Sequence, residues 1–119
     1  MKSNIVKEKS LQLAILVIEF AEELRLNDKH ALCDQLIRCG TSVGANISEA
    51  QHSESRADFI HKMKIAAKEL EETKYWLELC RLSKGYPYNN EIKTTAEDVG
   101  LILYKIISTS KANFKNQEI

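Results

Sequence analysis

The residues best equipped for chemistry cluster around one polar corner. Glu49-x-x-His52 and Asp58-x-x-His61 each set a carboxylate three residues before an imidazole, a spacing that puts both groups on one helix face. Bundles use this pairing to hold two metal ions. Such a site also needs further carboxylates aimed at the same layer. Here both pairs flank a single corner, and His52 falls inside it. They are read as caps and surface groups, with no metal ligand and no cofactor. Glu69, Glu71 and Glu72 form a second acidic group. Paired carboxylates can exchange protons with a substrate, but no nucleophile has a base close to it in sequence. No catalytic residue is assigned, and an enzyme is not expected.

Two other sets of side chains are candidates for binding. Arg38, Ser42, Asn46 and Glu49 follow one another at four, four and three and so share a helix face. With Gln35, Asp58, Glu69, Glu72 and Trp76 they make a polar motif that is either solvated or lies at a contact. At a contact, the planar fork of Arg38 would meet Glu69 or Glu72. His61, Lys62, Lys64 and Lys68 form a basic group that could grip phosphates. Tyr75, Trp76, Tyr86, Tyr88 and Tyr104 could stack on bases, although Trp76 more commonly packs.

The elements that must position these groups read as helices, without a run of alternating residues long enough for a strand. The first is expected over about 5–25, capped by Ser3 or Asn4. From Leu11 to Ala21 it is apolar almost all round, more than one buried stripe requires. Leu13, Ile15, Leu16 and Phe20 are therefore assigned to an oligomer interface. Asn27 or Asp28 is expected to cap the second helix, about 28–51, whose seam is Leu36, Gly40, Val43 and Ile47. Gly40 and Gly44 either admit a close neighbour or mark a kink. Ser55 with Asp58 opens the third helix, about 56–83. Its seam is Phe59, Met63, Ala66, Leu70, Thr73, Leu77 and Cys80, and it is ~40 Å long. Gly85 and Pro87 end it. Asn89 or Asn90 caps the fourth, about 90–110, followed by a polar tail expected to fray from Ser108. Short connections make this an all-α, antiparallel up-down-up-down four-helix bundle in a single domain.

The totals narrow the classes further. At 119 residues the chain can bury a core without crosslinks. Seventeen basic residues balance seventeen acidic ones, so no global excess of positive charge draws the chain to nucleic acid or to a membrane. The cysteines, Cys33, Cys39 and Cys80, are odd in number and none is paired as Cys-x-x-Cys. They read as free buried thiols in a reducing, cytoplasmic setting. Met1-Lys2 and the polar residues after it do not read as a signal peptide. The apolar run of the first helix is too short to span a bilayer.

The run Gln35-Leu36-x-Arg38-Cys39-Gly40-Thr41-Ser42-Val43-Gly44-Ala45-Asn46-x-x-Glu49-Ala50 resembles the four-helix bundle proteins encoded in intervening sequences of bacterial 23S ribosomal RNA genes. Asp58-Phe59, Lys62-Met63-x-Ile65-Ala66 and Glu72-Thr73-x-Tyr75-Trp76-Leu77-Glu78-Leu79 extend the likeness in order. The chain departs from it at Ala50, where many members have Gly, and at Lys68-Glu69, where many have Gly-Ser. The resemblance implies an antiparallel bundle assembled as a ring-like homo-oligomer, a pentamer, and names no catalytic residues. A related group, the accessory proteins of diversity-generating retroelements, binds a reverse transcriptase and nucleic acid. The resulting expectation is an oligomeric bundle that binds RNA or a ribonucleoprotein partner, such as a reverse transcriptase. The alternative is a purely structural or protein-binding assembly.

Overall fold

A computed structural model describes residues 4–118, with side chains described through 113. Four helices follow in order: α1 Ile5–Leu26, α2 His30–Ala50, α3 Arg56–Leu82 and α4 Asn90–Glu118. They form an elongated body of 55 × 27 × 20 Å. Each helix packs on its neighbour in sequence, and α4 closes back on α1.

The direction of packing can be read from residue pairs. Gly40 of α2 faces Val17 of α1, and Gly44, one turn later, faces Ser10. At the end of the pair, Asn4 Nδ2 donates to Gln51 Oε1 at 2.8 Å. The numbers rise on one helix as they fall on the other, so the pair is antiparallel. Between α3 and α4, Gly100 sits against Leu70 and Lys74, while Tyr104 reaches back to Glu71.

Each helix buries one stripe. In α1 it is Val6, Ser10, Leu13, Val17, Phe20 and Leu24. In α2 it is Leu36, Gly40, Val43 and Ile47, with Cys33 and Cys39 beside it. Ile60, Met63, Ala66, Leu70, Thr73, Leu77 and Cys80 are buried in α3, so the stripe enters at Ile60 and Phe59 is only half-buried. Ile92, Ala96, Val99 and Leu103 complete the core from α4. Fully burying a large aliphatic side chain contributes about 1.5–3 kcal/mol, and these stripes hold the bundle together.

Leu13 and Phe20, assigned from sequence to an oligomer interface, are 0% and 2% exposed. They lie in the chain's own core. Leu16 is half-buried against that core, and Ile15 is exposed. The apolar stripe that α1 turns outward is Leu11, Ile15 and Ile18, each more than half exposed.

The ends of the helices follow from local hydrogen bonds. Asn4 Oδ1 accepts from Lys7 N at 3.1 Å, while Ser3 lies outside the described residues. Ser55 Oγ accepts from Asp58 N at 3.0 Å, and Asn89 Oδ1 accepts from Glu91 N at 2.8 Å. The start of α2 differs from expectation. Lys29 occupies the capping position without a side-chain bond. Asp28 takes a left-handed turn with φ of 60° and lies one residue too early for its carboxylate to cap. Gly85, at φ of 84°, supplies the left-handed residue after α3 that a side chain would strain. Nor does α4 end at the polar tail: it continues through Glu118. The sequence after Ser108 contains neither Gly nor Pro to stop a helix.

Candidate functional site

The most connected polar cluster stands between α2 and α3. The guanidinium of Arg38 donates through Nη2 to Gln35 Oε1 at 3.0 Å and to Glu72, and through Nη1 to Glu69 Oε2 at 3.4 Å. Glu72 Oε2 also accepts from the indole N–H of Trp76 at 3.0 Å. Residues 69, 72 and 76 are three and four apart on α3, so one face presents both carboxylates and the indole to α2. Arg38 is 52% exposed at its side chain, against 23% for Glu69 and 33% for Glu72. The cluster is a rim between helices, open to water on one side. Tyr75 packs edge-on against Trp76, centroids 5.2 Å apart.

The remaining members of the polar motif are held separately. Asn46 Nδ2 donates to Ser42 O at 2.9 Å and to Ser42 Oγ at 3.1 Å, so this amide is satisfied within its own helix. Glu49 is exposed near the end of α2, and Asp58 stands half-buried in the first turn of α3. Glu69 and Glu72 are occupied by a guanidinium and an indole, so neither is presented to a substrate. The third acid of the run, Glu71, turns the other way and accepts from Tyr104 Oη of α4. Burial, and then Glu71 itself, push the Tyr104 phenol well above its usual range. Among the described residues, no three His, Cys, Asp or Glu side chains come together as metal ligands.

Of the basic group, His61, Lys64 and Lys68 share one exposed side of α3, and Lys62 stands apart from them. Lys62 lies seven residues before Glu69 and is half-buried on the α2 side. His61 and Lys68, seven apart and both exposed, share the outward face with Tyr75. Lys64 lies on the α4 side, and its like charge pushes the Lys111 ammonium below its usual range. Arg56, Phe59 and Ser110 line a cavity of about 410 Å³ at the same end of the α3–α4 seam. Sequence alone does not mark Arg56, Ser110 or Lys111, because the register of α3 against α4 is needed to bring them together. Gly100 against Leu70 and the pairing of Glu71 with Tyr104 belong to that register.

Toward the other end of the seam, Lys74, Leu77, Glu78, Tyr88, Lys93 and Glu97 line a cavity of about 300 Å³. Its cations are matched: Lys74 stands 3.6 Å from Glu71 and Lys93 3.9 Å from Glu97. At that end of the molecule, Lys29 Nζ lies 4.5 Å from the centre of the Tyr86 ring and ties the two corners together. The three thiols are free and buried, and no helix among the described residues is long and apolar enough to cross a membrane.

These features define an all-helical antiparallel bundle. A family model of the 23S rRNA-intervening sequence proteins matches residues 2–108, and the chain belongs to that family. It is similar to the crystal structure of a protein of unknown function from the S23 ribosomal protein family of Bacteroides thetaiotaomicron VPI-5482. The two are 39% identical, with a TM-score of 0.84, over 91% of this chain and 99% of that one. No curated protein matches the chain.

Proposed function

We propose that this protein is a non-enzymatic bundle that assembles with copies of itself and binds RNA or a ribonucleoprotein partner. The RNA half of the reading rests on the exposed basic side of α3, His61, Lys64 and Lys68, joined across the seam by Lys111. Lysines on one face can neutralise successive phosphates although the whole chain carries no net charge. The family's name associates its members with 23S rRNA genes and agrees with this direction. Self-assembly is supported by Leu11, Ile15 and Ile18, an apolar stripe turned outward and exposed among the described residues. The family resemblance favours a ring of five and admits a reverse transcriptase as the protein partner.

The second reading is an assembly or protein-binding module without a nucleic-acid role, and the balance of charge favours it. Binding of a labelled oligoribonucleotide across a salt series separates the two. Affinity that falls steeply with salt supports RNA binding, because phosphate contacts release counterions. No binding at low salt leaves the second reading.

A further inference from the structure

We propose that the α3–α4 seam holds a binding site for a free, zwitterionic α-amino acid with a large apolar side chain, in the cavity walled by Lys74, Glu78, Tyr88, Lys93 and Glu97. The inference is independent of the RNA-binding reading above.

The cavity opens where the two helices present little bulk. Its volume is about 300 Å³, and its floor is Leu77 and Ala96, both buried. Ala96 brings a single methyl group to the seam, which leaves apolar space beside Leu77. Tyr88 walls the cavity on the side of the α3–α4 connection, where Pro87 stiffens the chain just before it. Lys74 forms another wall, and its side chain is pinned. Its Nζ lies 3.6 Å from Glu71 Oε1 and 5.6 Å from the centre of the Tyr104 ring. Gly100 makes room for it, since a methyl group there would come 3.1 Å from that nitrogen. Walls already held in place cost a ligand little to order. The volume sits at the small end of ligand pockets, ~300–1,000 Å³, which suits one amino acid better than a nucleotide.

The charges on the rim select the ligand. Lys74 and Glu78 come from α3, and Lys93 and Glu97 from α4. Both signs therefore face one cavity from both helices, yet among the described residues no ion pair crosses this seam. Each charge pairs along its own helix: Lys74 with Glu71, Glu78 with Arg81, Lys93 with Glu97. At 3.6 and 3.9 Å the two lysine pairs are longer than the ~2.7–2.9 Å of a charge-assisted hydrogen bond. An ammonium has three donors, and a carboxylate has several acceptor sites, so both keep capacity for a further partner. A lone anion would also meet Glu78 and Glu97, and a lone cation Lys74 and Lys93. An α-amino acid carries ammonium and carboxylate on one carbon and offers each rim charge its opposite. Its side chain would rest on Leu77 and Ala96 against the Tyr88 ring.

The test is a titration of the isotope-labelled whole chain with L-phenylalanine, read by amide chemical shifts. N-acetyl-L-phenylalanine and L-phenylalaninamide serve as probes that each lack one charge. L-phenylalanine is expected to saturate with a dissociation constant on the order of 1 mM, with shifts centred on Leu77, Tyr88 and Ala96. Either derivative should bind about fivefold more weakly, and Lys93→Gln and Glu78→Gln should each cost about threefold to fivefold, as half-exposed charge pairs do. Ala96→Leu should fill the floor and abolish binding. Glu19→Gln, on α1, should bind like the parent. Circular dichroism checks the fold of each variant, and the two rim variants decide if Ala96→Leu does not fold. Absence of saturation by L-phenylalanine overturns the site, as do shifts centred elsewhere. Equal binding of all three probes, or parent affinity in both rim variants, overturns the zwitterion.

Discussion

Gly40 of α2 approaches Val17 of α1 so closely that a methyl group on it would lie 2.7 Å from both γ-carbons of the valine. Val17 is fully buried and β-branched, so it cannot swing aside freely. Gly40→Ala gains ~1 kcal/mol of helix propensity and incurs overpacking of about 1–3 kcal/mol. The sum is a destabilisation of about 0–2 kcal/mol, read in a urea melt. At Gly44 the same methyl would meet Ser10 Oγ at 3.3 Å and its carbonyl oxygen at 3.4 Å. Gly44→Ala should therefore be nearly neutral. Equal losses at both positions would show that glycine serves α2 by backbone freedom rather than by close approach.

Arg38 ties α2 to α3 through Glu69 and Glu72 from a half-exposed position. A buried ion pair that loses one partner costs roughly 3–5 kcal/mol. Water reaches this one, so Arg38→Ala is expected to cost only about 1 kcal/mol. Lys64→Ala removes a repulsive neighbour of Lys111 and should leave the melting temperature level or slightly raised. Thermal melts of both variants decide the matter. An Arg38→Ala protein that melts with the parent would mean that the guanidinium adds nothing between the helices.

The seam of α2 is legible in sequence because it has a single apolar stripe at three-and-four spacing. In α1 the apolar run is nearly continuous, and periodicity cannot say which stripe faces inward. Leu13 and Phe20, which the continuous run offers to an outer face, are core. A usable signal was Ser10, whose small side chain sits opposite Gly44. The Arg38–Glu69–Glu72 contact was foreseeable because the charges lie on seams that meet. Lys64 and Lys111 were not, since their encounter depends on the register of α3 against α4 and on α4 continuing beyond Ser108.

Cys80 supplies a pH dependence whose sign can be worked out. Burial pushes its thiol up to about 11 from an ordinary 9.0. Below pH 9 both folded and unfolded chains keep the proton, and the contribution to stability is fully present. Between pH 9 and 11 the unfolded chain releases the proton while the native chain holds it, so stability falls as pH rises. The raised phenol of Tyr104 acts in the same direction above its ordinary range. Cys80→Ala isolates the thiol: its stability should decline less than the parent's over this window in urea melts at pH 8, 9, 10 and 11. Parallel declines would show that the thiolate is not excluded from the fold.

The outward stripe of α1 gives the test of assembly. Leu11, Ile15 and Ile18 follow at four and three and are 63%, 51% and 54% exposed, so they form one apolar ridge. Alongside it, Leu11, Ala14, Thr41 and Ala45 help line a shallow groove of about 250 Å³ between α1 and α2, into which a neighbour's side chains could fit. Covering each large aliphatic side chain contributes up to about 1.5–3 kcal/mol. Ile15→Glu replaces that gain with a carboxylate that would have to leave water. It is expected to shift the protein to monomer, with helicity and melting of the monomer intact. Leu16 packs against the chain's own core, so Leu16→Glu should lower the melting temperature whatever the assembly does. Sedimentation velocity over a concentration series, with circular dichroism on the same samples, reads both effects. If parent and Ile15→Glu sediment alike, the α1 ridge is not where copies of this chain meet.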